Sequence, residues 1–251
     1  MSTQAALILE PSYVLVQQTA KGLLKNMGLL LKGKLDQMME STRFLATLPR
    51  SGLGEDIDLT QQDKLLTILG LRVGALLKDL AERVASEQWS ELNMDCVRLT
   101  RAFIDHYTAS NFYSEIRRQS NLDDRSKNVL LKLANVFTLD ALKTSIADLA
   151  EFGIISPTSI KKIRKASSAA INSLTPDLIA LSDAFAFTDF ELNSVLGQKD
   201  GNVYESLWKT VNERNPINTN RIDGVVRGYE QLLKPLNETA RGSGGGTRSR
   251  L

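Results

Sequence analysis

Cysteine and histidine are almost missing from this chain, which has one of each in 251 residues, Cys96 and His106. A single cysteine excludes an internal disulfide framework and a zinc site of the ribbon type, and it fits a reducing compartment. A single histidine means that any Ser-His-Asp or Cys-His catalytic arrangement would have to use His106. An excess of charge of one sign is also absent: 31 basic residues face 29 acidic ones, for a net charge of +2. That balance gives no electrostatic case for nucleic acid or an anionic membrane surface as partner. Long apolar runs are lacking too. Stretches such as Gly28-Leu29-Leu30-Leu31 and Gly74-Ala75-Leu76-Leu77 fall far short of the roughly 20 residues that span a bilayer, so no membrane span is expected. The first residues show no basic stretch followed by an apolar run and a small-residue cleavage site, so no secretory signal is expected. No segment alternates polar and apolar residues in the manner of a strand.

What is present is helical periodicity. Apolar residues recur every three or four positions from Tyr13 to Leu31, from Leu65 to Val84, from Trp89 to Ile116 and from Asn128 to Phe152, the spacing of amphipathic helices. Pro11-Ser12 is read as the start of the first. The stretch Phe44 to Leu59 carries Pro49, Gly52 and Gly54 without periodicity and is read as a surface loop. Gly153 is placed to close a helix in the left-handed conformation. Ser156-Pro157 and Thr175-Pro176 each offer a capping hydroxyl before a proline whose missing N–H costs nothing in a first turn. Thr188 and Glu191 have the spacing of a capping box. A last helix is expected over Arg221 to Leu233, ending before Pro235. The sum is an all-α chain of seven to nine helices with a bundle-like core. Gly242-Ser243-Gly244-Gly245-Gly246 cannot bury apolar surface and reads as a tether, so that residues 1–237 form the helical region and residues 238–251 a Gly-rich tail.

Four constellations carry chemical information. The closing Ser249-Arg250-Leu251 has the small-basic-leucine pattern of a peroxisomal import signal, and the glycine tether before it would give an import receptor access to the free carboxylate. His106, beside Phe103 and Tyr107, lies on or next to the buried face of a long helix and reads as structural. Lys161-Lys162-Ile163-Arg164-Lys165 reads as the solvated face of a helix whose other side is Ile160, Ile163, Ala166 and Ala170. Leu196 to Trp208 reads as a corner, with turn-forming Gly197 and Asp200-Gly201, a candidate cap in Asn202, and Val203, Leu207 and Trp208 as its buried anchors.

The residues Ser182 to Asp189, Leu192-Asn193-Ser194 and Leu196-Gly197 through Asp200-Gly201-Asn202-Val203-Tyr204-Glu205 resemble the end of the peroxisomal acyl-CoA oxidases. Arg101 to Tyr107 and Gln18 to Lys25 are similar to further stretches of that family, so the resemblance extends over most of the chain. It implies a helical bundle of the acyl-CoA dehydrogenase/oxidase C-terminal type with additional C-terminal helices. It also implies FAD as cofactor, an acyl-CoA substrate, trans-2-enoyl-CoA and hydrogen peroxide as products, and assembly as a homodimer or with a full-length oxidase. The family removes the α-proton with a glutamate that precedes Gly-Asp-Asn. An ungapped match through Gln18-Thr19-Ala20-Lys21 places that glutamate at Leu9, with Glu10 one position late and Pro11-Ser12 where the aspartate and asparagine would be. A one-residue shift makes Glu10 the candidate base. The family's flavin and acyl-CoA sites lie largely in an N-terminal helical domain and a central β-rich domain, and the resemblance starts after both. A non-catalytic helical partner derived from an oxidase is therefore the alternative expectation.

Overall fold

The computed structural model describes residues 3–49, 58–214 and 227–242, and their side chains apart from residues 3–13 and 240–242. Among the described residues there is no strand. The chain gathers into two compact units, Met1–Ile179 and Ala180–Leu251.

In the first unit, α1 (Thr3–Leu31), α2 (Gln62–Arg83), α3 (Asn93–Arg118), α4 (Asp124–Thr144), α5 (Ile146–Glu151) and α6 (Pro157–Leu174) pack as a bundle. Helix α1 continues through Pro11 instead of beginning there. A proline removes one backbone donor, a single loss within a 29-residue helix. On α2 the buried stripe runs Leu65, Ile68, Leu69, Arg72, Val73, Leu76, Leu77 and Leu80, and it serves two clusters. Leu65, Ile68 and Leu69 pack with Leu139 and Leu142 of α4, Leu149 of α5 and Ile163 of α6. Val73, Leu76, Leu77 and Leu80 pack with Ala20 and Leu23 of α1 and with Cys96, Leu99 and Ala102 of α3. Each fully buried leucine contributes about 2 kcal/mol through removal from water.

The expected loop from Phe44 is corrected in its first part. Glu40–Thr47 winds as a 3-10 helix with Thr42 and Leu45 buried. Its seat is made by Gly70 on α2, where a Cβ would come within 2.8 Å of Leu48 Cδ2 and 3.3 Å of Phe44. Asn26 ties the turn to α1: its Oδ1 accepts from Met39 N at 2.8 Å and lies 3.0 Å from the Thr42 hydroxyl. Residues 50–57 of that stretch lie outside the described residues.

The single helix expected over Asn128 to Phe152 is two. Ser145 breaks it, because its buried hydroxyl donates to the Ala141 carbonyl at 2.6 Å and competes with the backbone ladder. Gly153 closes α5 with φ +61°, as expected. Helix α6 starts as expected, with Ser156 Oγ accepting from Ser159 N at 3.3 Å ahead of Pro157. Thr175 instead ends α6, its hydroxyl donating to Ile171 O at 3.1 Å, and Pro176 sits in a 3-10 turn, Thr175–Asp177.

Helix α7 (Leu178–Asp183) leads into the second unit, which holds α8 (Asp189–Leu192), α9 (Val203–Lys209) and α10 (Lys234–Gly242). The capping box of α8 is present in both directions: Glu191 N donates to Thr188 Oγ1 and Thr188 N to Glu191 Oε2. The last helix does not stop at Pro235. A π-helical turn, Tyr229–Leu233, leads into α10, and this wider winding accommodates the missing donor and the ring. Residues 221–226 of the expected helix lie outside the described residues.

Candidate functional site

Two polar features are built into the first unit. One is a charged cluster that crosses three helices. Arg72, on the apolar stripe of α2, donates from Nε to Asp148 Oδ2 at 2.7 Å and from Nη1 to Asp105 Oδ2 at 2.9 Å. Arg98 of α3 donates from Nε to Asp148 Oδ1 at 2.8 Å and from Nη2 to Glu151. Asp148 lies on α5, which starts at Ile146 just after the break at Ser145. The bond to Glu151, followed by that to Asp148, pushes the Arg98 guanidinium pKa up. Both oxygens of Asp148 are occupied by guanidinium groups, so this carboxylate is a clamp and not a free base. Sequence periodicity does not reveal the cluster. Its one signal is a charged residue at a stripe position, Arg72 between Leu69 and Val73.

The other feature surrounds His106, which is 7% exposed, stacks on Phe44 with ring centroids 3.8 Å apart, and has an Nδ1 with no hydrogen-bond partner. Burial pushes its pKa down to about 4, so the ring is neutral near neutral pH. With Phe44, Glu40 and Ser41 it lines an open cavity of about 540 Å³, completed by residues of the next turn of α3.

In the stretch Arg101 to Tyr107, Ala102 lies in the core, Asp105 on Arg72 and His106 at the cavity, while Arg101, Ile104 and Tyr107 are exposed. In the stretch Gln18 to Lys25, Ala20 and Leu23 are core residues and Lys21 Nζ sits 5.0 Å over the Trp89 ring. Lys161, Arg164 and Lys165 are exposed around buried Ile163, the solvated face expected. The corner at Asp200 is corrected in two respects. Asn202 stands at the N-cap position of α9, but its amide donates to Glu205 Oε2 at 2.8 Å, and no side chain caps the helix. Leu207 and Trp208 are exposed, Trp208 at 73%, and do not anchor the corner among the described residues. Gly201 has the left-handed φ of +70° that the turn requires. Glu10 belongs to the backbone of α1, its side chain being outside the described ones, and Ser249-Arg250-Leu251 lie outside the described residues.

Three cavities among the described residues differ from what FAD requires. A flavin dinucleotide needs cationic or N–H donors for its pyrophosphate next to a slot for its rings. The His106 cavity has no lysine or arginine in its lining. The groove beside Phe152 and Gly153 has Lys78, flanked by Asp79 and Glu82. The cavity of about 390 Å³ in the second unit has Arg214 and, opposing it in charge, Asp189. Among the described residues no cluster of three or more His, Cys, Asp or Glu side chains could hold a metal ion. No helix of the described residues is long and apolar enough to cross a membrane.

The chain is similar to known proteins along most of its length. Peroxisomal acyl-coenzyme A oxidase 1 of Phascolarctos cinereus is 27% identical over 241 residues, which cover 89% of this chain and 35% of that protein. Acyl-coenzyme A oxidase 1 of Yarrowia lipolytica is 33% identical over 162 residues, 64% of this chain and 22% of that one. The chain therefore spans about a third of the length of the curated relatives it matches. Among solved structures, Arabidopsis thaliana acyl-CoA oxidase 1 superposes with a TM-score of 0.78 at 26% identity, over 90% of this chain and 35% of that one. Acyl-CoA oxidase-1 of Caenorhabditis elegans, complexed with FAD and ATP, gives a TM-score of 0.74 at 24% identity over 89% of this chain and 34% of that one, a likeness of fold. Both agree with the all-α C-terminal bundle expected from the sequence. The model of the acyl-CoA oxidase family matches residues 61–238, from the start of α2 into α10, and the chain belongs to that family.

Proposed function

We propose that this chain is the C-terminal helical part of an FAD-dependent acyl-CoA oxidase of peroxisomal fatty-acid β-oxidation. The reaction is acyl-CoA plus O2 giving trans-2-enoyl-CoA plus hydrogen peroxide, carried out together with the oxidase parts that the relatives have outside the matched region. The observation that carries the reading is the family match over residues 61–238 in a chain that spans about a third of its relatives. The exposure of the second unit supports it. Phe190 is 92% exposed, Tyr204 88% and Trp208 73%, in the same region that resembles the oxidase end, and such apolar surface is characteristic of a part that packs in a larger body.

Within this proposal the bundle is a scaffold. The Arg72 clamp ties α2, α3 and α5 together, and α1, packed in the same bundle, carries Glu10 in its first part. Glu10 is the candidate base for the α-proton. On a helix a one-residue shift turns a side chain by about 100°, so the proposal requires the start of α1 to differ in register from the family's. The alternative, a non-catalytic helical partner of a full-length oxidase, is favoured by Pro11-Ser12 in place of the family's aspartate and asparagine. The purified chain, mixed with FAD and a long-chain acyl-CoA, should show no bound flavin and form no peroxide. A yellow, peroxide-forming protein would mean that this chain is complete for catalysis. The partner reading gains if the chain co-purifies with a full-length oxidase whose activity does not change on Glu10→Gln in this chain.

The peroxisomal location rests on relatives named as peroxisomal and on Ser249-Arg250-Leu251. Deleting Leu251 should leave a fluorescently tagged full chain in the cytosol; a location unchanged by the deletion would mean import on a partner or by another signal.

A further inference from the structure

His106 presents a discrepancy that the bundle does not resolve. An imidazole more than nine-tenths buried has an unpartnered Nδ1, and no described residue hydrogen-bonds to the ring. Leaving a buried polar group unmatched costs about 1–3 kcal/mol, and in native proteins such a group calls for a bound species or a function. The ring is kept in place by shape, stacked on Phe44 and held against the side of α2 where Gly70 lacks a Cβ; a Cβ there would lie 3.5 Å from His106 Nε2.

The cavity beside it is selective in its chemistry. Glu40 brings a carboxylate that makes no ion pair among the described residues, and Ser41, Ser110 and Asn111 bring side-chain oxygens that make no hydrogen bond to a described residue. Phe44 and Tyr107 bring aromatic faces. The lining holds no lysine or arginine. A phosphate or carboxylate ligand would find a like charge and no counter-charge. A group with several N–H donors, a positive charge and no acceptor matches this lining: the carboxylate, the oxygens and the aromatic residues.

We propose that the cavity between the 3-10 helix and α3 is a binding site for a primary ammonium group, held by Glu40 and Asn111 and sensed by His106. Two sources supply this group, a free alkylamine and a lysine side chain of another protein, and the chemistry at the cavity is the same.

The sole histidine makes the test direct, because its ring carbon and nitrogen NMR signals in the full chain need no further assignment. With n-butylammonium chloride at pH 7.5, the ring signals should shift saturably. Glu40→Gln should weaken binding about tenfold, as expected for loss of a charge-assisted contact. Asn111→Ala, on the regular helix α3, gives an independent variant that should weaken it about threefold. Sodium chloride and tetramethylammonium chloride at equal concentration should give no saturable shift, the latter because it lacks N–H donors. Nα-acetyl-lysine methylamide binding at least about tenfold tighter than butylammonium would assign the lysine source, and equal affinity the free amine. A linear shift equal to that of sodium chloride, or wild-type affinity in both variants, would overturn the proposal.

Discussion

Arg72 shows how one residue organises the bundle. It occupies a position on α2 that periodicity assigns to an apolar side chain, and it is buried because Asp105 and Asp148 meet its guanidinium at 2.9 and 2.7 Å. Arg72→Ala would leave Asp148 buried with one of its two partners gone, and should lower unfolding stability by about 3–5 kcal/mol in urea. Arg98→Ala, at a site about a third exposed, should cost clearly less. His106 gives a second outcome at this scale. Its folded pKa, about 4, lies below the unfolded value near 6.5, so between these pH values the unfolded chain binds more protons. The stability is present above pH 6.5 and is lost as pH falls towards 4, by about 3 kcal/mol in all. Urea midpoints taken between pH 7 and pH 4.5 should therefore drop more steeply for the wild type than for His106→Leu. The structural reading of His106 came from its apolar neighbours alone; its stacking partner Phe44 comes from a segment read as a loop, so the cavity was not legible.

At the scale of elements, what the sequence made legible were features with a local cause. Ser156-Pro157, Gly153 and the Thr188/Glu191 pair each act within one turn, and each stands where it was expected. The misses have partners far along the chain. Glu40–Thr47 folds as a 3-10 helix because Gly70 leaves it a seat and Asn26 supplies an acceptor, neither visible from Pro49 or the glycines that follow. The break at Ser145 depends on which way one hydroxyl turns, and periodicity carries no record of that. A local cause also makes a clean test. Asp123 caps α4, its carboxylate accepting from Ser126 N at 2.8 Å. Asp123→Ala should cost about 1 kcal/mol, read as a lowered urea midpoint with an unchanged slope.

For the whole molecule, the family is legible in the residues themselves, through the motif from Ser182 to Glu205, whereas the part that motif plays in this chain is not. Val203, Leu207 and Trp208 were expected to anchor a corner, and Leu207 and Trp208 instead stand in solvent with Phe190 and Tyr204. Glycines and an aromatic residue mark a corner equally well whether the ring turns inward or towards another part of a larger body. The latter is what the proposed function requires. The candidate base remains the least legible part, since the resemblance alone puts Glu10 one residue from the family's glutamate and a sequence does not fix the direction of one side chain. The central claim is that this chain completes an oxidase but does not constitute one. Its most direct test is to co-express the chain with the remaining two-thirds of a related acyl-CoA oxidase and record the flavin absorbance of the co-purified material. The account predicts a stable yellow complex that forms peroxide from a long-chain acyl-CoA, with neither part yellow alone; two parts that fail to associate, or a chain that binds flavin unaided, would contradict it.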